Sequence, residues 1–310
     1  MIIGLVDLDT SHPAAWVPIL KELGHRVAGV IDHGDVHPPG YADRFVVEHD
    51  AGTVFASLEQ MVDAVDCAVI HGCDWDQHVP RARPFVEAGK AVLIDKPMVG
   101  CLQDLNELSR WVEQGKRISG GSSLRFAEEI AQWRQRDVED RGLAQTVLCG
   151  CGVDEFNYGI HAYAMLSAIL GPGIKSVQHL GQGMQRRIAV SWDDGRMGLL
   201  GVGAVERGLP FYASIVTDRG VESLTVDSSK VYRSLLEAEL PYLAGEVEAA
   251  LVPFDALSEP ERCALAAKRS WEEGDRVVGM AELTESGGGY DGKAFAAFYR
   301  EQKYPQGHTA

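Results

Sequence analysis

The chain has 310 residues, 45% of them hydrophobic and 24% charged; that allows a sizeable core and, at this length, two domains rather than one. A formal net charge of -16 disfavours nucleic acid and anionic membrane as general partners. No apolar run reaches the roughly 18 residues a membrane span needs, and no charged segment precedes the first apolar run. The six scattered cysteines read as reduced thiols, so the expectation is a cytoplasmic protein without a secretory signal.

Residues 2–6 (IIGLV) read as a buried strand, followed by the turn DLDTSHP from Asp7 to Pro13. A helix over residues 14–23 and a second apolar strand over 26–31, ending at Asp32, come next. Further strands are predicted over residues 65–71 and 90–94, with a helix over 79–88 between them that Gly89 closes. Residues 102–113 have helical periodicity, with Leu102, Leu105, Leu108 and Trp111 on one face. Continuous apolar strands alternating with helices predict a parallel sheet covered on both faces. Ligands of such sheets bind beyond the carboxyl ends of the strands. That rule points to Asp7–His12, Asp32, His71–Asp74 and Asp95-Lys96-Pro97.

A dinucleotide-binding turn after the first strand normally carries G-x-G-x-x-G. Here its glycine places hold Asp7, Asp9 and His12. The acids add negative charge where two phosphates would sit. Thr10 and Ser11 offer hydroxyl donors, Ser11 is placed to cap the following helix, and a protonated His12 would partly offset the acids. Asp32 can accept bonds from ribose hydroxyls and would repel a 2′-phosphate, so it favours NAD over NADP; it reads equally as a solvated loop residue. Lys96 at a strand end reads as a general acid/base or as an exposed loop lysine.

The segment from His78 to Pro97, with Ala88-Gly89-Lys90 and Asp95-Lys96-Pro97, resembles the Gfo/Idh/MocA family of sugar and cyclitol oxidoreductases. So, in the same order, do SSLRF (122–126), GIHAYAMLSAILGPGIKSV (159–177) and ALAAKRSWEEGDRV (264–277). The resemblance implies an α/β fold: a Rossmann domain over residues 1–120 and an α/β domain with an open, mostly antiparallel sheet over 121–310. Alternating runs at residues 188–192, 197–202 and 213–217, separated by Asp-Gly turns, agree with the second domain. The Gly/Ser stretch Ser119-Gly120-Gly121-Ser122 marks the boundary.

The resemblance also implies an NAD-dependent enzyme that interconverts a hydroxyl and a ketone on a sugar, cyclitol or related polyol, as a homodimer or homotetramer. Lys96, His161 and Asn157 take the catalytic places. Asp9, Thr10, Ser11, His12, Asp32, Cys73, His78 and Lys96 take the cofactor places. Trp75, Lys96, Arg125, Tyr158 and His161 take the substrate places. The chain departs from the family's pattern in the missing glycines, in Asn157 and Ala164 replacing two aspartates, and in Cys73-Asp74 replacing Thr-Pro. These departures keep open a redox-neutral lyase, hydratase or epimerase on the same scaffold, or a non-catalytic ligand-binding protein. No metal is expected: Cys149-Gly-Cys151 lacks a second cysteine pair, and His33-Gly-Asp35-Val-His37 lies in a Pro/Gly-rich loop.

Overall fold

Apolar runs with no polar face must be buried on both sides, and a parallel sheet is where they fit. In the computed structural model, which describes residues 1–206 and 208–305, six such runs pair in parallel. They are β1 Ile2–Val6, β2 Arg26–Ile31, β3 Thr53–Val54, β4 Cys67–Ile70, β5 Ala91–Asp95 and β6 Ile118–Gly121, in the order β3-β2-β1-β4-β5-β6. This is the Rossmann order, and its switch point lies between β1 and β4. Helices α1 His12–Glu22, α2 Tyr41–His49, α3 Leu58–Ala64, α4 His78–Glu87 and α5 Leu102–Glu113 connect the strands.

The apolar patterns place β1, β2 and α5 residue for residue, and α1, β4, α4 and β5 to within two residues. They miss α2, α3, β3 and β6, the last falling on the Gly/Ser stretch read as the boundary. Strands β5 and β6 approach so closely that a Cβ on Gly120 would lie 1.9 Å from the Ile94 carbonyl oxygen, and Gly120 has φ +147°. Glycine alone meets both demands there.

The second sheet has seven strands, in the order β12-β11-β7-β10-β9-β8-β13. They are β7 Ala144–Gly150, β8 Ile174–Gln182, β9 Arg186–Trp192, β10 Met197–Val202, β11 Tyr212–Thr217, β12 Val221–Thr225 and β13 Val278–Gly279. Only the β7–β10 pair is parallel, so the sheet is mixed and mostly antiparallel. Helices α6 Glu128–Gln135, α7 Val138–Arg141, α8 Gly159–Leu170, α9 Val231–Ala244 and α10 Phe254–Glu272 follow in chain order. Every residue of α8 is buried, as a helix apolar on all sides must be.

The chain forms two compact units, and they are not contiguous in sequence. Residues Met1–Gly121 are joined by Leu236–Phe254 and by the stretch from Asp291 onward; Ser122–Leu235 and Asp255–Tyr290 make the other unit. The expectation of one continuous second domain over 121–310 is corrected accordingly. The last helix, α11 Gly292–Lys303, shows why: its Ala296, with Phe295 and Tyr299, packs on Val36 and Cys73 of the first unit. Among the described residues no helix is long and apolar enough to cross a membrane.

Candidate functional site

In the first unit, the polar ends of β1, β2, β4 and β5 come together. Asp7 follows β1 with φ +66°, a left-handed conformation that aspartate tolerates better than most residues. The turn thus keeps a glycine-like backbone at Asp7 while adding a side chain. That side chain is buried. Its Oδ1 accepts the His33 ring Nδ1 at 2.7 Å and the His33 backbone N–H at 3.3 Å, and its Oδ2 accepts Arg81 Nη1 at 2.7 Å. Arg81 Nη2 donates to Asp35 Oδ2 at 2.6 Å. Burial pushes the Asp7 carboxyl up, but His33 and Arg81 outweigh it and hold it below the usual carboxylate range.

Asp9 is fully buried, and its Oδ2 accepts the Cys73 backbone N–H at 2.7 Å. Among the described residues its Oδ1 has no hydrogen-bond partner. Burial, reinforced by the charge of Asp7, pushes this carboxyl well above the usual range. Both acids therefore brace the turn. Thr10 Oγ1 accepts the His12 backbone N–H at 3.1 Å, while Ser11 stands at the N-cap of α1 without making the expected side-chain bond.

His12 does not act as a counter-charge to these acids. Its Nδ1 lies 2.5 Å from Asp95 Oδ2, which His71 Nδ1 also approaches at 3.2 Å. Asp95 Oδ1 accepts the backbone N–H of Lys96 at 2.8 Å. Burial lowers the His12 pKa in spite of Asp95. The Asp95 carboxyl is pushed up by burial, but the two histidines outweigh that and hold it well below the usual range. The three donor atoms lie within 4.8 Å of one another, so a cation could be held there after rearrangement. Ligands at about 2.0–2.1 Å from one tetrahedral zinc sit more than 3 Å apart. A 2.5 Å approach is instead a hydrogen bond.

Several expected cofactor or substrate residues have structural employment. His78 is buried, with Nδ1 and Nε2 each 2.9 Å from a carbonyl oxygen, of Met98 and Gly72. Trp75, expected at the substrate, is buried with its ring 4.9 Å from that of Phe295 on α11. The Cys73 side chain lies beneath Ala296, and burial pushes its thiol up. Asp32 is half-buried, its Oδ1 accepts the Gly34 N–H at 3.2 Å, and burial raises its pKa. Lys96 is buried at the end of β5. The members of the 33–37 loop point to different partners: His33 to Asp7, Asp35 to Arg81, His37 to Tyr304.

In the second unit, Ser122 Oγ lies 2.7 Å from Nδ1 of His161 on α8 and accepts the Leu124 N–H at 3.2 Å, which fixes the imidazole. Tyr158 packs edge-on against His161, with ring centres 5.9 Å apart, and burial raises its phenol pKa. Asn157 is buried, and Arg125 donates to the Ala256 carbonyl at 2.7 Å. Sequence reasoning missed Arg81 and Lys303. Arg81 sits in the helix pattern as an ordinary member, and Lys303 lies far away in sequence.

A parallel sheet in the order β3-β2-β1-β4-β5-β6, with its polar strand ends gathered at the switch point, defines a Rossmann-type fold. Its first 120 residues match the Gfo/Idh/MocA family model, described as "Oxidoreductase family, NAD-binding Rossmann fold". No curated protein sequence matches the chain. Among solved structures it resembles a putative myo-inositol dehydrogenase from Sinorhizobium meliloti 1021, with TM-score 0.77 and 14% identity, covering 90% of this chain and 99% of that one. It also resembles scyllo-inositol dehydrogenase from Lactobacillus casei with bound NAD(H) and scyllo-inositol, with TM-score 0.76 and 14% identity over 91% and 99% of the two chains. GenD2 from gentamicin A biosynthesis, in complex with NAD, gives TM-score 0.75 and 16% identity over 90% and 96%. At these identities the likeness is one of fold.

The family implies a nicotinamide dinucleotide, and the residues at its place do not fit one. The pyrophosphate of such a cofactor needs backbone N–H groups and close approach at the first turn. Here the turn carries two buried carboxylates, Asp7 and Asp9, and Asp9 presents a partnerless Oδ1.

Proposed function

We propose that the chain is an enzyme acting on a sugar, cyclitol or related polyol by redox-neutral proton transfer, of the epimerase, hydratase or lyase kind. One observation carries this reading: the pyrophosphate turn is rebuilt around buried Asp7 and Asp9, while Lys96 and His161 stand at the two proton-transfer places of the family resemblance. Lys96 is the base. It takes a proton from a carbon beside a carbonyl, and Asp95, bonded to its backbone N–H, fixes the strand end that carries it. His161, oriented by Ser122, is the acid, and Asn157 hydrogen-bonds a substrate hydroxyl without accepting its proton. Protonating that carbon from the face opposite to the one the proton left epimerises it; protonating a departing β-hydroxyl instead releases water. Either way protons balance within the protein and no hydride leaves. Arg125 and Tyr158 complete the substrate contacts in this reading.

The test is a panel of polyols and keto-sugars assayed for solvent-deuterium incorporation and dehydration without added cofactor. Lys96→Ala should lower turnover by a factor on the order of 10²–10⁴. Wild-type turnover in the variant would remove Lys96 from the reaction. A second reading is an NAD(P)-dependent dehydrogenase on the same substrates. It is supported by the family and by Asp32 at the end of β2, which would favour NAD over NADP. Turnover that appears only with added NAD or NADP would establish it.

A further inference from the structure

A dinucleotide on a Rossmann sheet lies across the crevice at the switch point, between the loops that follow the strands. In this chain α11 makes contact with all three loops bordering that crevice. At its start, Asp76 Oδ2, in the loop after β4, accepts the backbone N–H groups of Gly292 at 3.0 Å and Lys293 at 3.4 Å. The approach is close: a Cβ on Gly292 would lie 2.7 Å from both Asp74 Oδ1 and the Trp75 nitrogen. In its middle, Ala296 buries Cys73 and Val36, which belong to the loops after β4 and β2. At its end, Arg300 Nε donates to the Asp35 carbonyl at 2.6 Å, and Lys303 Nζ donates to the Asp9 carbonyl at 3.0 Å. Tyr304 Oη, just beyond, lies 2.7 Å from His37 Nδ1. Twelve helical residues extend about 18 Å, long enough to run from one loop to the other.

The charges agree with this placement. The crevice is bordered by Asp7, Asp9, Asp32 and Asp35, with Arg81 and His33 as the basic groups among them. Such a lining repels a pyrophosphate and attracts a helix end carrying Arg300 and Lys303.

We infer that α11 is the resident occupant of the dinucleotide crevice, standing where the cofactor would lie and excluding it. The inference rests on the redox-neutral reading above and extends it from the turn to the whole groove. It is tested on the full chain by hydrogen–deuterium exchange with and without millimolar NADH or NADPH, alongside calorimetric titration. The α11 amides should exchange as slowly as those of β1 and β4, neither cofactor should change them, and no binding heat should appear. Gly292→Val should speed α11 exchange by on the order of tenfold or more and expose the Asp7–Asp9 turn. If that variant does not fold, Lys303→Glu supplies the same loosening from the other end. Fast α11 exchange in the wild type would overturn the inference. So would NADH binding, whether α11 stays protected (the cofactor lies elsewhere) or loses protection (the helix is a displaceable lid). These readouts do not depend on turnover, so a failure of the Lys96 chemistry would be separately visible.

Discussion

Asp9→Gly should destabilise the chain and gain no dinucleotide affinity. The side chain is fully buried and accepts the Cys73 N–H at 2.7 Å. Removing it orphans a buried donor, at a cost of about 1–3 kcal/mol. Glycine's larger backbone entropy in the unfolded chain adds about 0.5–1 kcal/mol. The total is about 1.5–4 kcal/mol, a large share of a typical folding free energy. Asp9→Asn separates the hydrogen bond from the charge. Its amide oxygen keeps the acceptor for Cys73, and its NH₂ takes the place of the partnerless Oδ1 at a cost that does not depend on pH.

Burial and Asp7 raise the Asp9 carboxyl well above the usual range on folding. Such a group contributes stability that is complete below its unfolded pKa and is lost as pH rises through the folded one. Wild type should therefore lose stability from about pH 4 upward relative to Asp9→Asn. Urea denaturation across that range measures the difference, and calorimetry with NADH measures affinity. An Asp9→Gly protein as stable as wild type that binds NADH more tightly would refute the bracing role and show that the carboxylate merely opposes a phosphate.

Arg81→Met should cost about 3–5 kcal/mol, because it strips buried Asp7 of its guanidinium and leaves Asp35 without that partner; a loss below about 1 kcal/mol in urea would contradict the network. Asp95 is held well below the usual carboxylate range because His12 and His71 outweigh its burial, so its contribution is present above the unfolded pKa and lost as pH falls through the folded one. Asp95→Asn should thus flatten the acid limb of the stability profile below about pH 4, and an unchanged limb would count against the shared carboxylate. Gly120→Ala should lower the melting temperature by more than the about 1 kcal/mol of an ordinary glycine replacement, since the Cβ would meet the Ile94 carbonyl at 1.9 Å.

The Rossmann sheet was legible because its strands are short apolar runs that carry their burial in their composition. Strands β3 and β6 were not: Thr53 and Val54 hold too little pattern to read, and Ile118–Gly121 is half glycine and reads as a linker. At the site, the strand-end rule located Asp7–His12, Asp32, His71–Asp74 and Lys96 without any structure. It could not assign their partners. That His12 turns to Asp95 and not to a phosphate depends on a contact spanning 83 residues. That Asp9 braces Cys73 depends on one spanning 64. Asp74 and Asp76 flank Trp75 with charge whose partners a sequence cannot assign. Those acids serve backbone groups: Asp74 accepts the Asp76 N–H, and Asp76 the start of α11, which covers the indole.

The position of α11 in the chain sets the order in which the first unit can be finished during synthesis. Residues up to Gly121 include the whole parallel sheet, yet the helix that covers Val36 and Cys73 ends at Lys303. At about 5–20 residues per second, the ribosome needs about 10–35 s to travel between those points. For that interval the nascent sheet carries an uncovered apolar patch beside an acid-lined crevice, and the mature surface exists only once the last helix has emerged. A pause or a stop before Gly292 would leave a formed sheet without the helix that covers Val36 and Cys73.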